Sequence, residues 1–126
     1  MASLEDLAQQ ALAVPGIASA AIFVGKPSAS TLDLGAAAGV EGAALAGLIS
    51  AVQNPLHPIV RTMTDTGASF DVAPMNPGGP ALRSHLPLGG LGVLALAHEA
   101  SLSPDARQAL QAIATSAEAA IRQTGG

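Results

Sequence analysis

Two apolar runs, Leu82 to Leu88 and Leu91 to His98, flank the dipeptide Gly89-Gly90. Glycine reaches positive φ angles without a Cβ clash, and the central residues of a tight hairpin turn need such angles. The pattern predicts two antiparallel strands. Counting outward from the turn sets Leu88 opposite Leu91, Ser84 opposite Ala95 and His85 opposite Leu94. A phosphate-cradling loop is excluded, because it must follow a strand and open a helix. Here Val93-Leu-Ala-Leu-Ala reads as a strand, and no Lys-Ser or Lys-Thr follows the glycines. Gly92 is read as a point of close backbone approach.

The remaining elements follow from periodicity and punctuation. Leu4, Leu7, Ala11 and Val14 form one apolar stripe and predict a helix over 3–14, with Ser3 as N-cap, Glu5 and Asp6 in the first turn and Pro15-Gly16 as the stop. Residues 17–37 read as two strands joined by the loop Gly25-Lys-Pro-Ser-Ala-Ser. A second helix is predicted over 41–53, with Leu45, Leu48, Ile49 and Val52 on one face and Asn54-Pro55 ending it. The proline-rich segment 54–80 is irregular, with a short helix over 58–66 and a strand over 68–72. Ser103-Pro104-Asp105 combines a capping hydroxyl, a first-turn proline and an acid, and opens a helix over 104–123. Its stripe Ala106, Leu110, Ile113, Ala117, Ala120 has heptad spacing and small side chains that suit a close helix partner. Sequential strands joined by hairpins, with helices packed on them, define a single α+β domain over 1–126 built on an antiparallel sheet.

Composition removes several function classes. Phe23 and Phe70 are the only aromatic residues, so a base, haem or flavin would find almost no stacking surface. The net charge is −4 and the five basic residues are scattered singly, which excludes a nucleic-acid stripe. Without cysteine there is no disulfide, thiolate metal site, thiol nucleophile or thioether-linked chromophore. The acidic N-terminus and the lack of a long apolar run argue against a signal peptide or membrane span, and the chain is read as cytoplasmic. His57, His85 and His98 show no i, i+4 spacing, so no metal site is assigned. Ser84 and His85 are adjacent and on a strand face opposite ways, so no catalytic residue, cofactor or enzymatic activity is assigned.

Polar side chains instead gather between His57 and Arg83. His57, Arg61, Asp65, Asp71, Asn76 and Arg83 surround Met63, Phe70 and Met75 in a loop-rich stretch. Small-ligand pockets combine an apolar lining with a few convergent polar groups. The expected ligand-binding set is therefore His57, Arg61, Asp65, Phe70, Asp71, Met75, Arg83 and His85.

The C-terminal half carries a resemblance. Arg83-Ser-His-Leu-Pro-Leu, Leu91-Gly-Val-Leu-Ala-Leu-Ala, Leu102-Ser-Pro-Asp-Ala-Arg-Gln-Ala-Leu-Gln-Ala-Ile-Ala and Ala119-Ala-Ile resemble the end of a GAF domain. The resemblance implies a central antiparallel sheet of five or six strands, with N- and C-terminal helices packed on one face and often dimerising. It also implies a sensory role, with a small-molecule pocket on the other face of the sheet. In this chain the homodimer would form through the terminal helices, the pocket would be lined by residues 57–83, and a signalling protein would be the further partner. GAF domains that attach bilins or reduce free methionine sulfoxide use cysteines, which are lacking here. The Asn-Lys-Phe-Asp-Glu set of cyclic-nucleotide GAF domains is also missing: Asn76 is isolated and Lys26 is the only lysine. A haem-type GAF domain would need one of the histidines as axial ligand. The first half, Leu4-Glu-Asp-Leu through Pro-Gly-Ile-Ala-Ser-Ala-Ala-Ile-Phe-Val, looks like a roadblock/LC7 domain, a dimeric scaffold regulating small GTPases or kinases that needs no ligand pocket.

Overall fold

The computed structural model describes residues 3–26, 31–40, 42–54, 58–62, 69–72, 82–99 and 101–123. In chain order these are α1 (Leu4–Leu12), β1 (Ile17–Lys26), β2 (Thr31–Ala38), α2 (Gly42–Ala51), α3 (Pro58–Thr62), β3 (Ser69–Val72), β4 (Leu82–Pro87), β5 (Gly92–His98) and α4 (Pro104–Gln123). The strands form one five-stranded antiparallel sheet in the order β2-β1-β5-β4-β3.

Caps set the terminal helices. Ser3 Oγ accepts from the Asp6 N–H while Asp6 accepts from the Ser3 N–H, a reciprocal capping box. At α4 the Ser103 hydroxyl accepts from the Ala106 N–H at 3.1 Å, with Pro104 in the first position. Both helices lie on one face of the sheet. There Leu7, Ala8 and Ala11 of α1 and Leu110, Ile113 and Ala117 of α4 bury against Ile22, Leu86, Leu94 and Leu96. The heptad stripe of α4 thus faces into its own protomer, and its close helix partner is α1. The opposite face is covered by α2 and α3, with Val52, Ile59 and Val60 against Ala21, Phe23, Leu32 and Val93. At the sheet edge, the Leu32 N–H donates to the Val52 carbonyl and the Gln53 amide donates to the Leu32 carbonyl at 2.8 Å.

Two sequence expectations are corrected. Leu45 and Leu48 of α2 are half-buried and Val52 just beyond its end is buried, but Ile49 is 36% exposed. That helix carries apolar side chains all round, so its periodicity does not single out a face. The hairpin register is also one residue out from the two-residue turn. Gly89 and Gly90 do take positive φ angles, and the Leu91 N–H closes the turn onto the Leu88 carbonyl. However, the Leu88 N–H bonds the Gly92 carbonyl, while the Leu91 carbonyl accepts from Gly25 of β1 at 2.7 Å. Leu91 is therefore left out of the β4–β5 ladder, and Ser84 stands opposite Leu96 and His85 opposite Ala95.

At Gly92 the backbone of β1 leaves no room for a side chain on β5. A Cβ at this position would collide with the Phe23 carbonyl oxygen, a backbone atom that no rotamer change can move aside. Gly92→Ala is expected to destabilise the fold by about 3 kcal/mol, at the upper end of overpacking costs. Urea unfolding checks this, and an unchanged midpoint would show that the two strands separate freely.

Candidate functional site

The one-residue register step brings together side chains that a two-residue turn would place on opposite faces. With Ser84 opposite Leu96, His98 sits diagonally across on the same face, and Ser84 Oγ lies 2.8 Å from His98 Nε2. Both residues are 0% exposed beneath the terminal helices. Asp71 joins them from β3: its N–H donates to Ser84 Oγ at 3.2 Å, and its Oδ1 lies 4.0 Å from His98 Nε2. The same carboxylate accepts from the Leu102 N–H at 3.1 Å and pairs through Oδ2 with the Arg107 guanidinium. Arg107 also stacks on Phe70, its Cζ 4.9 Å from the ring centre.

Asp71 has φ +58, in the left-handed region that residues other than glycine seldom take, aspartate and asparagine more readily than most. This backbone angle, with the register shift between Ser69 and Val72, breaks the usual alternation of the strand. Phe70 and Asp71 consequently both turn toward α4. The Leu102 N–H chiefly lowers the Asp71 carboxyl below its ordinary value of 3.8; the Arg107 guanidinium and His98 ring act in the same direction, and partial burial opposes them.

Serine, histidine and aspartate in one cluster invite a catalytic reading, which the geometry rejects. In a nucleophilic triad the base takes the serine proton at one ring nitrogen and is oriented through the other. Here Ser84 and Asp71 both address Nε2, and Ser84 is closed off from any substrate. The cluster joins three strands to the start of α4.

The opposite face holds a different arrangement. Arg83 and His85, one residue to either side of Ser84, face α2 over a floor of small side chains that includes Ser19, Ala21 and Ala95, with Leu48 of α2 above. His85 is buried and Arg83 half-buried. The depression they line has a volume of about 10 Å³, room for about one water molecule, against several hundred for a metabolite pocket.

The expected ligand-binding set is thus divided. Arg83 and His85 are brought together under α2, and Arg61 is exposed near the end of α3. Phe70 and Asp71 lie on the other side of the sheet, beside Arg107. His57, Asp65 and Met75 fall outside the described residues. Sequence reasoning passed over Ser84, His98 and Arg107 as a group. The available signal was a third turn residue after Gly89-Gly90, which moves Ser84 one step along β5. Among the described residues, no three His, Asp or Glu side chains gather as a metal site, and no helix is long and apolar enough to cross a membrane.

No protein-family model and no curated protein matches the sequence. Solved structures do match. The second GAF domain of DevS from Mycobacterium smegmatis superposes with a TM-score of 0.73 at 19% identity, covering 95% of this chain and 91% of that one. A methyl-accepting chemotaxis protein segment superposes with a TM-score of 0.66 at 18% identity, covering 95% and 87%. The α+β architecture, the five-stranded antiparallel sheet and the paired terminal helices are those of a GAF-like fold.

The Asp71 contacts carry a pH dependence. A carboxyl whose folded pKa lies below its unfolded value contributes stability that is complete above the unfolded value, here 3.8, and is lost as pH falls through the folded one. Asp71→Asn is expected to lower the urea midpoint near neutral pH and to make its acid decline shallower than in the parent. Midpoints measured from about pH 6 to about pH 2 check this, and parallel curves would show that Asp71 contributes nothing specific.

Proposed function

We propose that this chain is a cytoplasmic sensory or regulatory domain of the GAF-like type, acting without chemistry of its own. The observation that supports it best is the fold, which is shared with a named GAF domain and with part of a methyl-accepting chemotaxis protein. Its regulatory ligand is a small anion bound on the α2 side of the sheet. Arg83 and His85 converge there on an otherwise small and apolar floor. The water-sized depression means that Leu48 must move outward to admit the ligand, and α2 is lightly held: most of its side chains are exposed or half-buried. Thermal-shift screening against small carboxylates and phosphate esters tests this. At least one compound is expected to raise the Tm of the parent protein and leave Arg83→Ala unshifted. Shifts that survive the substitution would place the ligand elsewhere, and no shift at all favours a second reading.

That second reading is an interaction scaffold with no small ligand, favoured by the small size of the depression. In both readings the protein is a homodimer through its terminal helices. Because the stripe through Leu110 and Ala117 faces inward, the dimer would use the outward face of α4, where Ala109, Ala112, Ser116 and Ala119 are all exposed. Small side chains at such spacing let two helices approach closely. Ala112→Arg is expected to convert the dimer to a monomer by light scattering. A parent protein already monomeric at high concentration, or a variant of unchanged mass, would overturn this assembly.

A further inference from the structure

Arg83, Ser84 and His85 are consecutive residues of β4, yet the sheet sends them to different layers. Arg83 and His85 face α2, while Ser84 faces the layer of α1 and α4. Any displacement of the α2-side residues is therefore one peptide away from a buried hydroxyl. That hydroxyl accepts from the Asp71 N–H, and the Asp71 carboxylate grips both the Leu102 N–H just ahead of α4 and the Arg107 guanidinium in its first turn. Among the described residues, edge strand β3 pairs with β4 at Ser69–His85 and Val72–Arg83. Asp71 makes these contacts with its backbone in the left-handed region, a conformation that depends on the surrounding structure to hold it.

We propose that Asp71 is a coupling residue, a latch that ties the position of β4 on the α2 face to the order of the first turns of α4. This rests on the sensory reading only for its purpose; the latch itself operates without ligand. With the latch closed, the start of α4 is held by Leu102 and Arg107. When β4 shifts at Arg83 or His85, Ser84 moves, Asp71 relaxes from its positive φ, and both grips on α4 are released together. The signal thus crosses the sheet through one side chain to the terminal helix.

Hydrogen exchange of the full chain, read by mass spectrometry without any ligand, tests the coupling. His85→Ala perturbs β4 from the α2 side; should that buried site prevent folding, Arg83→Ala serves instead. The perturbation is expected to speed exchange over residues 107–113 by about tenfold while leaving the α1 amides unchanged, since local opening need not follow global unfolding. In an Asp71→Ala background the same α4 amides already exchange fast, and the β4 substitution adds nothing. Arg107→Gln should reproduce the Asp71→Ala pattern, and Arg107→Lys should restore part of the protection. Exchange at 107–113 that ignores the β4 substitution would overturn the proposal. So would rates that multiply independently in the double variant, or a speeding that spreads equally to α1.

Discussion

The hydrogen bond from the Gly25 N–H of β1 to the Leu91 carbonyl, 2.7 Å long, sets the alignment on which the rest of the sheet depends. By engaging that carbonyl it keeps Leu91 out of the β4–β5 ladder and makes Gly92 the first paired residue of β5. A strand that slips by one residue turns every side chain to the opposite face. In the register observed, Leu86 and Leu94 are cross-strand neighbours under the terminal helices, and Ser84 lies within reach of His98. One position away, Ser84 would face Ala95, and the polar cluster at the start of α4 would have no hydroxyl beneath it.

The two faces of the sheet differ in how firmly they are covered. Under α1 and α4, Leu, Ile and Ala side chains pack with little exposure and the helices are capped by their own hydroxyls. On the other face α2 carries small and aliphatic side chains all round and buries few of them, so the hydrophobic effect holds it less tightly. A layer of that kind opens at lower cost than the capped layer opposite.

The sequence made the elements legible because their ends are chemically marked. Ser3 and Ser103 announce helix starts, Pro15-Gly16 announces a stop, and Gly89-Gly90 a turn, each through a local cause that does not need the rest of the chain. The family resemblance read from residues 83–121 agreed with the fold for the same reason. What stayed hidden was set at long range. The extra turn residue depends on a bond to β1, and the positive φ of Asp71 depends on partners 13, 31 and 36 positions along the chain. Phe70 and Asp71 therefore read as pocket residues beside Arg83, although they face the other layer. In α2, Ile49 looked like core because Ser50 is the one polar residue on that helix, too little to mark an outside.

The contacts at Leu32 also bear on what the protein can assemble into. Its backbone N–H and carbonyl are taken by Val52 and by the Gln53 side chain, so the outer strand of the sheet meets a piece of its own chain where another strand could have paired. At the far side, the described residues of the last strand are Ser69–Val72. A border that carries a contact like the one at Leu32 is, at that point, a poorer template for lengthening by a foreign strand. At Leu32, a strand from another copy would first have to displace the residues that follow α2.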